Sequence, residues 1–267
     1  MRKLLPLLLL LLPLLGAATC QIRRPYAPPT SEAVLKWLEH RHVTSARVES
    51  KMTQREGGNE VKATVRFIVA KGARLRFDAV SPFDSPLSTL VANGTEFTLV
   101  DARNNRHYYG PAKACNLARL LRVQLDADAI LRLVSGSTPL IGHRKVALYW
   151  DGNKGQEVLM LAEGPLRQMI RLQPIGRTKR WDLTRSTIWR ANKIVLDIQA
   201  TDHQLVQGQR VPHRLRISQP QLKRAIDIVY RRIELNPTNL SAEAFVLMEP
   251  EGLPSQRLDC AGAAPAQ

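Results

Sequence analysis

Cys20 stands at the end of a segment built for covalent chemistry. Arg2 and Lys3 form a positive head, Leu4 to Leu15 is leucine broken only by Pro6 and Pro13, and Gly16-Ala17-Ala18-Thr19 supplies small residues. That order is an export signal. The apolar run is shorter than the ~18–20 residues that cross a bilayer, and its prolines oppose a stable membrane helix. A thiol directly after such a run is an acceptor for lipid, and lipidation of Cys20 is expected. Thr19 is unusual just before a lipid-modified cysteine, and Ala17 stands where leucine is preferred, so ordinary cleavage after Ala18 stays open. The two remaining cysteines, Cys115 and Cys260, would enter an oxidising compartment, where they pair or stay as free thiols. A bond between them would tie the C-terminal tail to the body.

Other reactive side chains form no pattern. Gly-x-Ser-x-Gly, His-Glu-x-x-His and phosphate-loop spacings are missing, and six histidines are scattered. His40 and His42 lie two apart, where helical side chains do not share a face. Asp126 and Asp128 are a pair of carboxylates, but Asp126 has a simpler use as a helix cap. No enzyme activity, catalytic residue, metal or cofactor is expected. The formal charge is +16, and loss of Arg2 and Lys3 leaves +14. Such a balance attracts anionic surfaces, or it is a solvated arginine-rich strand face. Export argues against nucleic acid as the partner.

The elements that must carry these residues are one helix and then many strands. Val34, Leu35, Trp37 and Leu38 recur at helical spacing behind Ser31, a candidate cap. Period two follows: Val61, Ala63, Val65, Phe67 and Val69 alternate with Lys62, Thr64 and Arg66, and Leu75, Phe77 and Ala79 with Arg74, Arg76 and Asp78. Gly57-Gly58-Asn59 and Lys71-Gly72 are turns. Residues 116–121 and 126–134 read as two short helices, after which strands resume to about Leu235, with a last one near Ala244 to Met248. Roughly a dozen strands with two helical inserts give a mainly β chain, a strongly curved sheet or barrel. The expected organisation is a signal peptide at 1–19, a lipidated cysteine and flexible Pro-rich tether at 20–30, one domain at 31–250 and a tail at 251–267.

Ser81-Pro82-Phe83-Asp84-Ser85-Pro86-Leu87 follows the third strand. Leu90 to Asp101, Arg106-His107-Tyr108-Tyr109-Gly110 and the two short helices come next. This order resembles the LolA/LolB family of lipoprotein carriers and outer-membrane receptors. The resemblance rests on element order from about Thr30 to Pro250. It implies an incomplete, half-open antiparallel β-barrel closed by a helical lid over an apolar cavity. It also implies an outer-membrane lipoprotein, lipid-anchored and facing the periplasm, that receives lipoproteins from a periplasmic LolA-like carrier and inserts them by their acyl chains. A monomer is expected. Phe83 matches the apolar residue of the receptor's protruding loop, with phenylalanine in place of leucine; it reaches the membrane or folds back into the barrel mouth. Val65, Phe67, Leu75, Phe77, Phe97 and Leu99 are the expected sheet side of the cavity. Leu117, Leu120, Leu121, Ile130, Leu133 and Val134 are the expected lid side. Each methylene moved out of water gains ~0.8 kcal/mol, so ten hold a client with roughly 8 kcal/mol. The same residues would equally fill a packed core. A carrier of another amphiphile, such as a glycolipid, or a structural lipoprotein that docks to proteins are the other readings.

Overall fold

The computed structural model describes residues 21–39, 42–81, 83, 85–121, 123, 125–248, 250 and 252–260, with only the backbone for 118–121. Helix α1 (Ser31–Glu39) buries Val34 and Leu38. Thr30, not Ser31, caps it: the Ala33 amide donates to Thr30 Oγ1 at 3.2 Å. Six strands then run as an antiparallel meander: β1 (Ser45–Glu56), β2 (Asn59–Ala70), β3 (Arg74–Val80), β4 (Pro86–Asn93), β5 (Glu96–Asp101) and β6 (Arg106–Pro111). The β1–β2 hairpin turns at Gly57 and Gly58, with φ of 56° and 93°, the left-handed region where a Cβ is disfavoured.

Two helices, α2 (Ala114–Leu121) and α3 (Ala127–Val134), interrupt the strands. Asp126 caps α3, accepting from the Ala129 amide at 2.7 Å. The second meander is β7 (Lys145–Asp151), β8 (Gln156–Glu163), β9 (Leu166–Pro174), β10 (Trp181–Arg190), β11 (Lys193–Val206), β12 (Gln209–Gln219) and β13 (Arg224–Leu235). Strand β13 returns to pair with β1, with Ala46 opposite Leu235, and welds the two meanders into one sheet. A bulge between Glu49 and Ser50 lies in this seam, where an extra residue bends the strand. The tail adds β14 (Ser255–Arg257), parallel to β6. The fourteen-stranded sheet has β14 at one edge and β7 at the other, and these do not pair, so the curved sheet is an incomplete barrel. Its inward face is apolar by strict alternation, as in Val65, Phe67 and Val69. Helix α3 lies against β1, β2 and β3 as a lid and buries Ala127, Ala129, Leu131, Leu133 and Val134.

Three segments differ from the sequence expectation. Residues 21–30 form no regular element, yet their first part is strapped to the sheet. The Ile22 amide donates to the Gly152 carbonyl at 2.8 Å, and Trp150 Nε1 donates to the Ile22 carbonyl at 2.7 Å. Arg24 pairs with Glu157, whose side chain is fully buried, at 2.8 Å. The Tyr26 hydroxyl accepts from Trp181 Nε1 at 2.6 Å and donates to Glu157 at 3.2 Å. Burial pushes the Tyr26 phenol up to about 12; the bond from Trp181 opposes this and Glu157 adds to it. Prolines prevented helix here, but aromatic and charged side chains between them found partners.

Ala244 to Met248 is not a strand. Ala242–Phe245 is a short 3₁₀ turn. Both edges of β13 are already taken, by β1 and β12, so the chain crosses the outer face of the sheet, where Phe245 packs on Ala70 and Val91. The tail, which had no element assigned, is part of the fold. The Leu258 amide donates to the Tyr109 carbonyl at 2.8 Å, and Asn116 of α2 donates to the Leu258 carbonyl at 3.2 Å. Cys115 at the start of α2 is joined to Cys260 as a disulfide, with Cα atoms 6.0 Å apart.

Candidate functional site

The concave face of the sheet and the lid enclose an apolar chamber. The floor comes from strands on both sides of the β1–β13 seam. Met52 projects from β1, Phe67 from β2, and Leu75 and Phe77 from β3. Across the seam, Leu215 and Ile217 come from β12, and Ile226, Ile228 and Tyr230 from β13. The lid contributes Ile130 and Leu133 from α3, with Val123 and Leu125 from the connection before it. Each set follows from local rules. On a strand, residues two apart share a face; on α3, Ile130 and Leu133 are three apart and stack. The Phe67 ring lies parallel to Phe77 and tilted against Tyr230, with both centroids at 6.4 Å.

Among the described residues no charged side chain lines the chamber, and Tyr230 supplies the one polar group. Such walls suit hydrocarbon and nothing ionic. The cavity is ≈ 60 Å³, whereas drug-sized ligand pockets hold ~300–1,000 Å³. The space is therefore too small for a long chain, because the lid and sheet side chains fill most of it.

Apart from the buried Glu157, the described ion pairs lie largely between strands, away from the chamber. Arg185 meets Asp197 at 2.8 Å, Arg210 meets Asp182 at 2.7 Å, and Arg47 meets Glu234 at 2.7 Å. Burial opposes the Asp197 carboxylate, but hydrogen bonds from Arg185, Thr187 and Gln199 prevail and hold its pKa below the ordinary value. Part of the strong positive balance is thus a solvated, paired strand face.

Of the twelve expected cavity residues, the structure brings Phe67, Leu75, Phe77, Ile130 and Leu133 to the chamber. Val65, Phe97, Leu99, Leu117 and Val134 are buried in the same core but do not line it. The side chains of Leu120 and Leu121 lie outside the described residues, as do Cys20, Pro82 and Asp84. Sequence reasoning missed the whole β12–β13 wall and Met52. Their alternation was visible; their place opposite the lid depends on the β1–β13 pairing.

Phe83 is 89% exposed in the loop between β3 and β4. The loop is closed by Ser81: its amide donates to the Ser85 carbonyl at 2.9 Å, and its hydroxyl accepts from the Phe83 and Ser85 amides at 3.2 and 3.1 Å. The ring does not fold back into the barrel mouth.

No protein-family model and no curated protein matches the sequence. Solved structures do match in shape. A LolA superfamily protein from Nitrosomonas europaea is 10% identical, with a TM-score of 0.55 over 83% of this chain and 99% of that one. A DUF1329 family protein from Desulfovibrio piger is 12% identical, with a TM-score of 0.54 over 81% and 95%. A putative outer membrane lipoprotein-sorting protein domain from Vibrio parahaemolyticus is 9% identical, with a TM-score of 0.51 over 80% and 95%. The fold is LolA-like. A half-open sheet over which a helical lid closes is the architecture expected from the sequence. In this LolA-like chain the coverage of the neighbours is nearly complete. Among the described residues no helix is long and apolar enough to cross a membrane.

Proposed function

We propose that this chain is an envelope lipoprotein that takes the acyl chains of client lipoproteins into the chamber and helps insert them into the outer membrane. The observation that carries the reading is the chamber itself, thirteen described side chains without a charge, set between a curved sheet and a helical lid. The LolA-like fold supports it, since a neighbour of the same shape is described as a putative lipoprotein-sorting domain. No covalent chemistry is involved. Affinity comes from transferring methylenes out of water, and release comes from offering them a bilayer. Loading requires the α3 segment to swing away, because the closed cavity is too small. Cys20 would carry the lipid anchor, a LolA-like periplasmic carrier would deliver the client, and Phe83 would touch the membrane during release.

The test is mass spectrometry of lipid retained by protein purified from membranes without delipidation, together with uptake of a fluorescent acyl probe. Wild type is expected to retain acylated species and to bind the probe. Ile130→Glu puts a carboxylate against the chamber from a half-buried position, and probe binding is expected to fall at least tenfold while the protein stays folded. Retained glycolipid alone would redirect the reading to another amphiphile. Absence of both retained lipid and probe binding would leave a structural lipoprotein.

A further inference from the structure

Tyr230 is the exception in the chamber wall. It is 1% exposed and follows Ile226 and Ile228 on the inward face of β13. Its bulk has a structural reason. Opposite it across the seam is Ser50, small and fully buried, and the ring fills the room that serine leaves. Bulk explains a ring but not a hydroxyl, which phenylalanine would omit.

The hydroxyl has no hydrogen-bond partner among the described residues. The neighbouring Ser50 hydroxyl is committed to the Val65 carbonyl at 3.3 Å. Water is a poor substitute, because a buried water needs two to four polar partners and the described side chains of this chamber offer one. A buried hydroxyl left unpaired is destabilising. Burial also pushes the phenol well above its ordinary range, so the group keeps its proton and acts as a donor at neutral pH.

We propose that Tyr230 is a ligand-contacting residue, whose hydroxyl donates a hydrogen bond to an acceptor embedded in the hydrocarbon part of the bound molecule. The ligand class is then acyl esters and amides, whose carbonyls sit at the head of each chain, rather than plain hydrocarbon. The inference rests on the chamber being a ligand site. It adds a polar fixed point that sets how deep the chain enters. Apolar walls tolerate sliding; one directional bond selects a register.

Tyr230→Phe separates the possibilities, read with two probes. One is a synthetic lipopeptide with two ester-linked chains; the other is its analogue with the carbonyls reduced to methylenes. The variant is expected to melt at or slightly above the wild-type temperature. Its affinity for the ester probe is expected to drop about two- to tenfold, with affinity for the carbonyl-free probe unchanged. Equal change for both probes, or none for either, would overturn the role of Tyr230 and leave the chamber as a binding site. A lower melting temperature would show that the hydroxyl serves the unliganded fold, and would also overturn it. If wild type binds neither probe, the chamber reading fails as well.

Discussion

Phe83 and Ile130 show how two apolar side chains answer to different environments. Ile130 is half-buried on the lid and lines the apolar chamber. Phe83 stands out in solvent on a loop whose backbone is closed by Ser81, so its ring contributes almost nothing to the fold. Exposed aromatic bodies are well accommodated at a membrane interface. Phe83→Glu is therefore expected to leave the melting temperature within the small range of surface substitutions, about 0.5 kcal/mol either way. In the proposed transfer it would slow delivery of a client into anionic liposomes, since a carboxylate meets like charge and loses hydration there. Client binding would persist. Liposome transfer at the wild-type rate would remove Phe83 from the mechanism.

At the scale of elements, the strap at residues 22–26 was the least foreseeable. Pro25, Pro28 and Pro29 make an unfolded tether the natural expectation. Instead Arg24 neutralises the buried Glu157, and Tyr26 sits edge-on to Trp181 with ring centroids 6.2 Å apart. Arg24 also lies over the Trp150 ring at 5.4 Å. The strap thus covers part of the region around β7 and β8 near the open edge of the sheet. Arg24→Ala leaves a buried carboxylate with only the Tyr26 hydroxyl for company, and is expected to cost about 3–5 kcal/mol. Replacing both partners, as Arg24→Met with Glu157→Leu, should recover most of that. Urea unfolding of the single and double variants measures both; a single variant as stable as wild type would show that the pair is not a structural clasp.

The whole molecule is an open sheet whose two ends are managed differently. The β14 end is held by the disulfide between Cys115 and Cys260, which also fixes the tail beside α2. A cross-link spanning 145 residues of chain constrains the unfolded ensemble strongly. Cys260→Ser is expected to lower stability by about 2–5 kcal/mol, and reduction of the wild type should do the same. Non-reducing peptide mapping should recover the linked fragments. Equal urea midpoints for oxidised and reduced protein would show that the tail is held by β14 and Leu258 alone.

The alternation of Val65, Phe67 and Val69, the glycine turn at 57–58 and the Asp126 cap are local, and the sequence by itself determined them. Each depends on residues two to four positions apart, whose geometry the backbone sets. A mainly β body and the two short helices followed from the same short-range patterns. The membership of the chamber did not. Phe97, Leu99 and Val134 are as apolar as Leu215, Ile217 and Ile226, yet only the second group faces the cavity. Which inward residues meet a space, and which meet each other, depends on where the lid lands. That in turn depends on β13 pairing with β1 across most of the chain. Burial of Glu157 by a strap 131–133 residues away is the same kind of fact. Long-range pairing is chosen by the total burial it allows, and no local spacing encodes it.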